Sequence, residues 1–324
     1  MINTRRLMLK AAFAAPIAVM GRSAFAQGYP ARPVKIIVPA GAGTGIDAAT
    51  RFFADPLASQ LGRPFVPENR PGAGGLLGYS QAARSAPDGY TLILTGIPLY
   101  LLPLFSEAPK PPFDPLTDFV PVARVMRVPS AIVVAPESPY QTLDDLLKAM
   151  QNNPNEITYS SQGVGSTAHL CTVVLNDMSG TKAKHIPYKE TSMALTDVVG
   201  GRIAFTCQSS AGMLPLVQGG RLRALAVTNS SRWKSLPDVP TVAESGVANF
   251  EVSSQLDFMA PAGTPETVLK LLSDNIRLVT QTSQFEQFCL KQAIEPEFKD
   301  YKTLVPEIQQ EAARWKRIVD LARA

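Results

Sequence analysis

A single unit recurs along this chain and limits what it can become: a short β-branched or apolar run, a loop rich in Gly, Ser and Thr, then a helical stretch. Val34 to Pro39 reads as a strand, Ala40 to Ile46 as its loop, and Asp47 to Leu61 as a helix with apolar positions at Ala48, Phe52, Ala54, Leu57 and Leu61. The unit returns at Pro64 to Glu68 with a helix to about Ser85, and at Ile157 to Ser161 with Gln162-Gly163-Val164-Gly165 and a helix from Ser166 to Met178. Thr91 to Thr95, Ser130 to Val134, Lys184 to Pro187 and Leu222 to Thr228 read as further strands. Such alternation predicts an α/β protein with largely parallel sheets.

At 324 residues the chain exceeds the size at which one core keeps growing, roughly 250 to 300 residues, so two packed units are expected. Irregular, Pro-rich sequence from Pro98 to Pro121 and again from Val242 to Ser254 sets the edges. The expected division is residues 27–124 plus 253–324 for one lobe and 125–252 for the other, with two crossings forming a hinge. The part beyond Pro265 is expected to be helical, over Glu266 to Thr282, Ser283 to Gln292 and Lys302 to Ala322.

Residues 1–26 decide the compartment. Arg5-Arg6 and Lys10 precede an apolar stretch from Ala11 to Met20 and an Ala24-Phe25-Ala26 cleavage signal. That stretch is too short to span a bilayer, which takes ~20 residues. The paired arginines look like the twin-arginine signal, so a soluble periplasmic protein cleaved near Ala26 is expected. Of the 31 basic residues, four (Arg5, Arg6, Lys10 and Arg22) lie in this acid-free segment, and the remainder balances 27 against 27. A balanced chain gives no electrostatic reason to expect nucleic acid or an anionic membrane as partner.

Catalytic chemistry has little to build on. With His169 and His185 as the two histidines, a nucleophile-base pair would have to use one of them, and no G-x-S-x-G elbow occurs. His169 is expected to hydrogen-bond a backbone carbonyl or a bound anion. Cys171, Cys207 and Cys289 show no C-x-x-C spacing, which leaves zinc unsupported, and no cofactor is expected. Buried free thiols are the preferred reading, with pairing of Cys171 and Cys207 left open.

The glycine loops offer more. Gly41-Ala42-Gly43-Thr44-Gly45 lacks both the P-loop lysine and the dinucleotide spacing. Its glycines still let a backbone approach a ligand, and the helix beginning near Asp47 presents unpaired N–H groups to an anion. Gly163-Val164-Gly165-Ser166-Thr167 repeats the arrangement ahead of His169. Asp47 is expected to serve as an N-cap more than as a ligand contact. Gly165→Val is expected to block ligand approach and leave the fold intact.

These residues resemble the substrate-binding proteins of tripartite tricarboxylate transporters, the Bug receptors, over essentially the whole mature chain. The resemblance rests on Glu68-Asn69-Arg70-Pro71-Gly72-Ala73-Gly74-Gly75, Ala86-Pro87-Asp88-Gly89-Tyr90, Gly163-x-Gly165-Ser166-x-x-His169 and Pro187-Tyr188-Lys189. It continues through Leu236-Pro237-Asp238-Val239-Pro240-Thr241 and Ala260-Pro261-Ala262-Gly263-Thr264-Pro265. It implies a two-lobed periplasmic binding protein of Venus-flytrap, type II-like form. Such a monomer captures a small organic acid, mono-, di- or tricarboxylic and aromatic acids included, and delivers it to integral-membrane transporter subunits. A sensor that presents the bound acid to a membrane signalling partner is the alternative. The site it implies comprises Ala40, Gly43, Thr44, Gly45 and Asp47 in one loop and Ser161, Gly165, Ser166, Thr167 and His169 in the other. Thr95, Gly96, Tyr188 and Gln208 are expected to line the rest of the cleft. Where relatives carry an aromatic residue in the first loop, this chain has Ala40, which implies a wider pocket.

Overall fold

The computed structural model describes residues 28–105 and 111–323, so the expected export signal at residues 1–26 lies outside the described residues. The chain runs β1 (Val34–Val38), α1 (Gly45–Leu61), β2 (Phe65–Asn69), α2 (Leu76–Ala83), β3 (Thr91–Thr95) and α3 (Pro98–Phe105). It continues through β4 (Phe119–Val128), β5 (Ser130–Val134), α4 (Leu143–Asn152), β6 (Thr158–Ser161), α5 (Thr167–Ser179), β7 (Lys184–Pro187) and α6 (Thr191–Val199). Then come β8 (Phe205–Ser209), α7 (Ser210–Gln218), β9 (Arg223–Val227), β10 (Ser254–Pro261), α8 (Glu266–Thr280), α9 (Ser283–Lys291), β11 (Glu295–Asp300) and α10 (Tyr301–Arg323).

Two sheets result, ordered β11-β4-β10-β3-β1-β2 and β7-β6-β8-β5-β9. Each has a parallel half, β2-β1-β3 in the first and β7-β6-β8 in the second. The other pairings are antiparallel, so the sheets are mixed and not largely parallel. The cause is the path of the chain. A strand that leaves one sheet and a strand that returns to it run opposite ways, and β10 lies antiparallel between β3 and β4.

Strand periodicity sorts the core. On β1, Ile36 joins the cluster under α1, α8 and α9, whereas Ile37 joins the one under α2 and α3 on the opposite face. On β3, Leu92 and Leu94 follow Ile36 while Ile93 follows Ile37. β5 divides likewise, Ile132 and Val134 to one side and Ala131 and Val133 to the other. Alternating residues that are all apolar bury both faces of a strand, which is why these strands read as unbroken apolar runs. Fully buried side chains such as Phe53 and Leu57 of α1 contribute about 1.5–3 kcal/mol each.

α10 belongs to both halves. Leu304 and Ile308 pack in the first sheet's core, while Trp315, Ile318 and Val319 pack with Leu170, Cys171, Val174 and Leu175 of α5. Ile97 and Leu101, which follow β3, join that same second cluster. Cys171 and Cys207 form a disulfide that ties α5 to β8, in place of the expected free thiols, and Cys289 is a buried free cysteine. No described helix is long and apolar enough to cross a membrane.

Candidate functional site

The first loop begins where β1 ends. Thr44, in extended backbone, is the N-cap of α1: its Oγ1 accepts from the Asp47 amide at 3.4 Å and donates to the Gly41 carbonyl at 2.9 Å. The cap is therefore Thr44 and not Asp47. Asp47 instead folds back on the loop, where its carboxylate accepts from the Gly43 amide at 2.9 Å, Asn69 Nδ2 at 2.9 Å and Arg51 Nε at 3.1 Å. Asn69 also donates to the Ala40 carbonyl at 3.2 Å. The Arg51 hydrogen bond, with those from Gly43 and Asn69, holds the Asp47 carboxyl down at about 2 against the opposing effect of burial. Gly43 has φ +81°, which glycine adopts without strain. A Cβ at Gly41, Gly43 or Gly45 would meet nothing within 4 Å, so this loop presents open backbone.

Thr95 and Gly96 close β3 at the same edge. Thr95 is buried and its Oγ1 donates to the Tyr79 hydroxyl of α2 at 3.3 Å. A Cβ on Gly96 would stand 2.3 Å from the Gln255 carbonyl oxygen, so this glycine is what lets β10 approach β3. Both positions are tied into the first sheet's packing.

The second loop rises from β6. Ser166 caps α5, accepting from the His169 amide at 3.3 Å and donating to the Gly163 carbonyl at 2.8 Å, and Thr167 opens the helix. Ser161 Oγ stands 2.6 Å from His185 Nε2 and 3.1 Å from the Gly163 amide nitrogen. Among the described residues His169 donates to no carbonyl. Its Nδ1 accepts the Gly165 N–H at 3.4 Å, which puts the neutral ring's proton on Nε2. Burial, reinforced by the neighbouring His185, lowers the His169 pKa to about 4. Gly165 has φ +84°, and a Cβ there would meet the Phe105 ring at 3.0 Å. Gly165→Val therefore cannot leave the local backbone intact, contrary to expectation, because position 165 is both left-handed and pressed against an aromatic ring.

The parallel register brings the remaining positions to the same sheet edge, with Ser161 opposite Pro187 and Ser160 opposite Thr206. The Tyr188 amide donates to the Ser161 carbonyl at 2.9 Å, while its hydroxyl turns to Asp197 of α6 at 2.7 Å. Gln208 is buried at the end of β8, and its Oε1 accepts from Gln162 Nε2 at 3.1 Å. Ser161, Gly165, Ser166, His169 and Gln208 thus form one hydrogen-bonded neighbourhood with Gln162 and His185, and Ala40, Gly43, Thr44 and Asp47 form another with Asn69 and Arg51. The Phe105 ring on Gly165 links the first sheet's elements to the second loop.

Sequence reasoning leaves out Asn69, Arg51, Gln162 and His185. Asn69 was legible in principle, inside the Glu68-to-Gly75 motif, and so was His185, one of two histidines in the chain. Arg51 carries no local signal apart from its i+4 spacing from Asp47. Chemically the two loops present amide and hydroxyl donors, a set suited to an anion. Among the described residues no group of three or more His, Cys, Asp and Glu side chains is placed to hold a metal ion. A cavity of about 450 Å³ lies elsewhere, lined by Arg124, Arg127, Gln255, Lys299, Glu307, Glu311 and Trp315 among others. Its charges largely answer one another: Arg124 meets Asp257 at 2.8 Å and Glu311 at 3.2 Å, and Arg127 meets Glu251 at 2.5 Å and Glu297 at 2.7 Å.

The chain has relatives of known family and solved structure. BugT of Bordetella pertussis is 35% identical over 294 residues, covering 91% of this chain and 90% of BugT. Among solved structures, an R. palustris protein with adipate is 30% identical with a TM-score of 0.73, covering 91% of this chain and 98% of that one. MatC from Rhodopseudomonas palustris with bound malate is 27% identical with a TM-score of 0.70, covering 90% and 100%. Residues 49–323 match the model of the tripartite tricarboxylate transporter family receptor, TctC. With two α/β lobes and the family's pattern running through nearly all of it, the chain belongs to the tripartite tricarboxylate transporter receptors, which are substrate-binding proteins and not enzymes.

Proposed function

We propose that this receptor works in the periplasm, where it captures a small organic carboxylate between its two glycine loops and delivers it to integral-membrane transporter subunits. The carrying observation is the second loop. Gly163 to Ser166 leads straight into α5, whose first-turn amides at Thr167 and Ala168 stand there as neutral donors beside Gln162, which keeps one Nε2 hydrogen beyond its bond to Gln208. A helix N-terminus with such donors holds an anion without a lysine or arginine. The related structures with adipate and malate favour a dicarboxylate. In this reading residues 27–124 plus 253–324 and residues 125–252 move as lobes and close on the acid. The protein acts as a monomer, after export by the twin-arginine route and cleavage near Ala26.

The test is thermal unfolding of the chain from Gln27 against aliphatic and aromatic mono-, di- and tricarboxylates. An acid at a hundred times its Kd should stabilise by ~2.7 kcal/mol, a shift of a few degrees in Tm. Selective stabilisation by adipate, malate or a near homologue is the expected result. No shift with any acid, after unfolding and refolding to strip resident ligand, would sink the carboxylate reading. For export, the secreted protein should begin at Gln27 on N-terminal sequencing, and Arg5→Lys with Arg6→Lys should retain it inside the cell.

A further inference from the structure

The chain has two histidines in 324 residues, and the fold brings them together. His169 lies in the first turn of α5 and His185 on β7, with ring centroids 4.6 Å apart. The Tyr159 ring stacks on His185 at 4.9 Å and on His169 at 6.5 Å. Each histidine touches the second loop directly, His169 through the Gly165 amide and His185 through Ser161 Oγ.

Among the described residues, the groups around this pair supply no counter-charge. From β6 come Tyr159, whose hydroxyl burial pushes up to about 12, and Ser161. On β8, Phe205 stacks on Tyr159, Gln208 is held by Gln162, and Cys207 is in a disulfide with Cys171 of α5 and so does not titrate. On β7, Lys184 is exposed and adjacent in a strand to His185, which turns the two side chains to opposite faces. On α6, Asp197 is held by the Tyr188 hydroxyl and Arg202. Where α10 packs on α5, Arg317 approaches Asp177 at 3.9 Å, more than two turns along α5 from His169. Phe105 of α3 is apolar. Burial and the mutual effect of the rings lower His169, and burial lowers His185, so both are neutral in the empty protein at neutral pH.

We propose that the receptor binds its carboxylate together with one proton, which the His169–His185 pair takes up when the acid seats on the second loop. This rests on the receptor reading above. The incoming carboxylate is the negative charge that the pair otherwise lacks, and an opposite charge within ~4–6 Å favours the protonated imidazole. With the rings 4.6 Å apart, charging one disfavours charging the other, which favours uptake of a single proton. Neutral pH then weakens retention and mild acid strengthens it, so capture responds to the pH of the surrounding solution.

Calorimetric titration with adipate at about pH 6, in buffers of different protonation enthalpy, reads the count directly. The observed heat should vary with buffer enthalpy with a slope near one proton taken up, after subtraction of adipate's own protonation, and His185→Gln or His169→Gln should bring that slope toward zero. With two histidines, the ring C–H resonances of the unlabelled protein are readily assigned by the same variants. Saturating adipate should carry one histidine's titration midpoint to about pH 7 or above, as uptake of nearly one proton at about pH 6 requires. Adipate binding with buffer-independent heat and unmoved histidine midpoints would overturn the proposal while leaving the receptor standing. If neither adipate nor malate nor any acid of the panel gives heat, the carboxylate reading falls and this inference falls with it.

Discussion

A Cβ at position 96 would lie 2.3 Å from the Gln255 carbonyl oxygen, a backbone atom that cannot swing aside. Gly96→Ala should therefore push β10 off β3 and cost about 2–3 kcal/mol, read as a lowered urea midpoint. Gly165→Ala meets a side chain instead, the Phe105 ring at 3.0 Å, on top of an unfavourable φ of +84°. Its cost should be smaller, about 1–2 kcal/mol, and Phe105→Leu in the same chain should recover part of it. Both glycines stood in the sequence as loop residues, but the reasons for them did not. A close approach of residues 96 and 255 is made by pairing across the sheet, and nothing local encodes it. His169 carries a pH consequence. Its folded pKa of about 4 lies below the unfolded value of 6.5, so the unfolded chain binds the proton first. Stability should therefore be full above about pH 6.5 and fall on acidification toward pH 4, by about 3 kcal/mol from this residue. His169→Gln should flatten that part of a denaturation-versus-pH curve. Asp47, held at about 2, acts with the same sign but only at lower pH, losing its contribution between about 3.8 and 2.

Among the elements, β4 and β10 carry the least expected chemistry. Arg124 and Asp257 are each 2% exposed and pair at 2.8 and 3.1 Å on neighbouring strands, with Glu311 of α10 completing the set. Asp257→Asn leaves a buried guanidinium short of its counter-charge and should destabilise by about 3–5 kcal/mol, whereas Arg124→Met with Asp257→Leu should come close to neutral. Comparing the two Tm values separates a charge requirement from a packing one. The parallel strands were legible because apolar runs followed by glycine loops repeat. β4 was hidden by Pro121 and its flanking irregular sequence, and β11 by Pro296 and alternating charges at Glu295, Glu297 and Lys299. On β11 Glu297 serves the Arg127 ion pair and hydropathy gives no strand signal, whereas the apolar run of β4 was passed over because it continues out of the Pro-rich stretch. α1 was placed within two residues, and its cap was misassigned because Thr44 and Asp47 both favour helix starts. Thr44→Ala should cost about 1 kcal/mol.

At the scale of the whole molecule, two lobes could be read from the two irregular crossings together with the family resemblance. The reach of α10 could not, since its apolar stripe looks the same whichever core receives it. Trp315, 5% exposed, lies in the core that holds α5, while Leu304 lies in the first sheet's core. A helix shared in this way couples the halves, so calorimetric unfolding should show one transition and not two. Trp315→Ala should lower stability by about 3–5 kcal/mol, and resolution into two steps in that variant would locate the coupling in α10.

The sheet orders also bear on how the chain is made. Every strand of the second sheet comes from one unbroken run, Ser130 to Val227, so that sheet can form its ladders soon after it leaves the ribosome. β1, β2 and β3 appear first, yet the neighbour on the open flank of β3 is β10, which emerges only after the entire second sheet. Until then Ile93, Leu94 and their neighbours lack the strand that covers their edge and the α8 and α10 side chains that complete their cores. The oldest part of the nascent polypeptide is thus the last to be protected, and its aggregation hazard is concentrated in the first hundred residues of the fold.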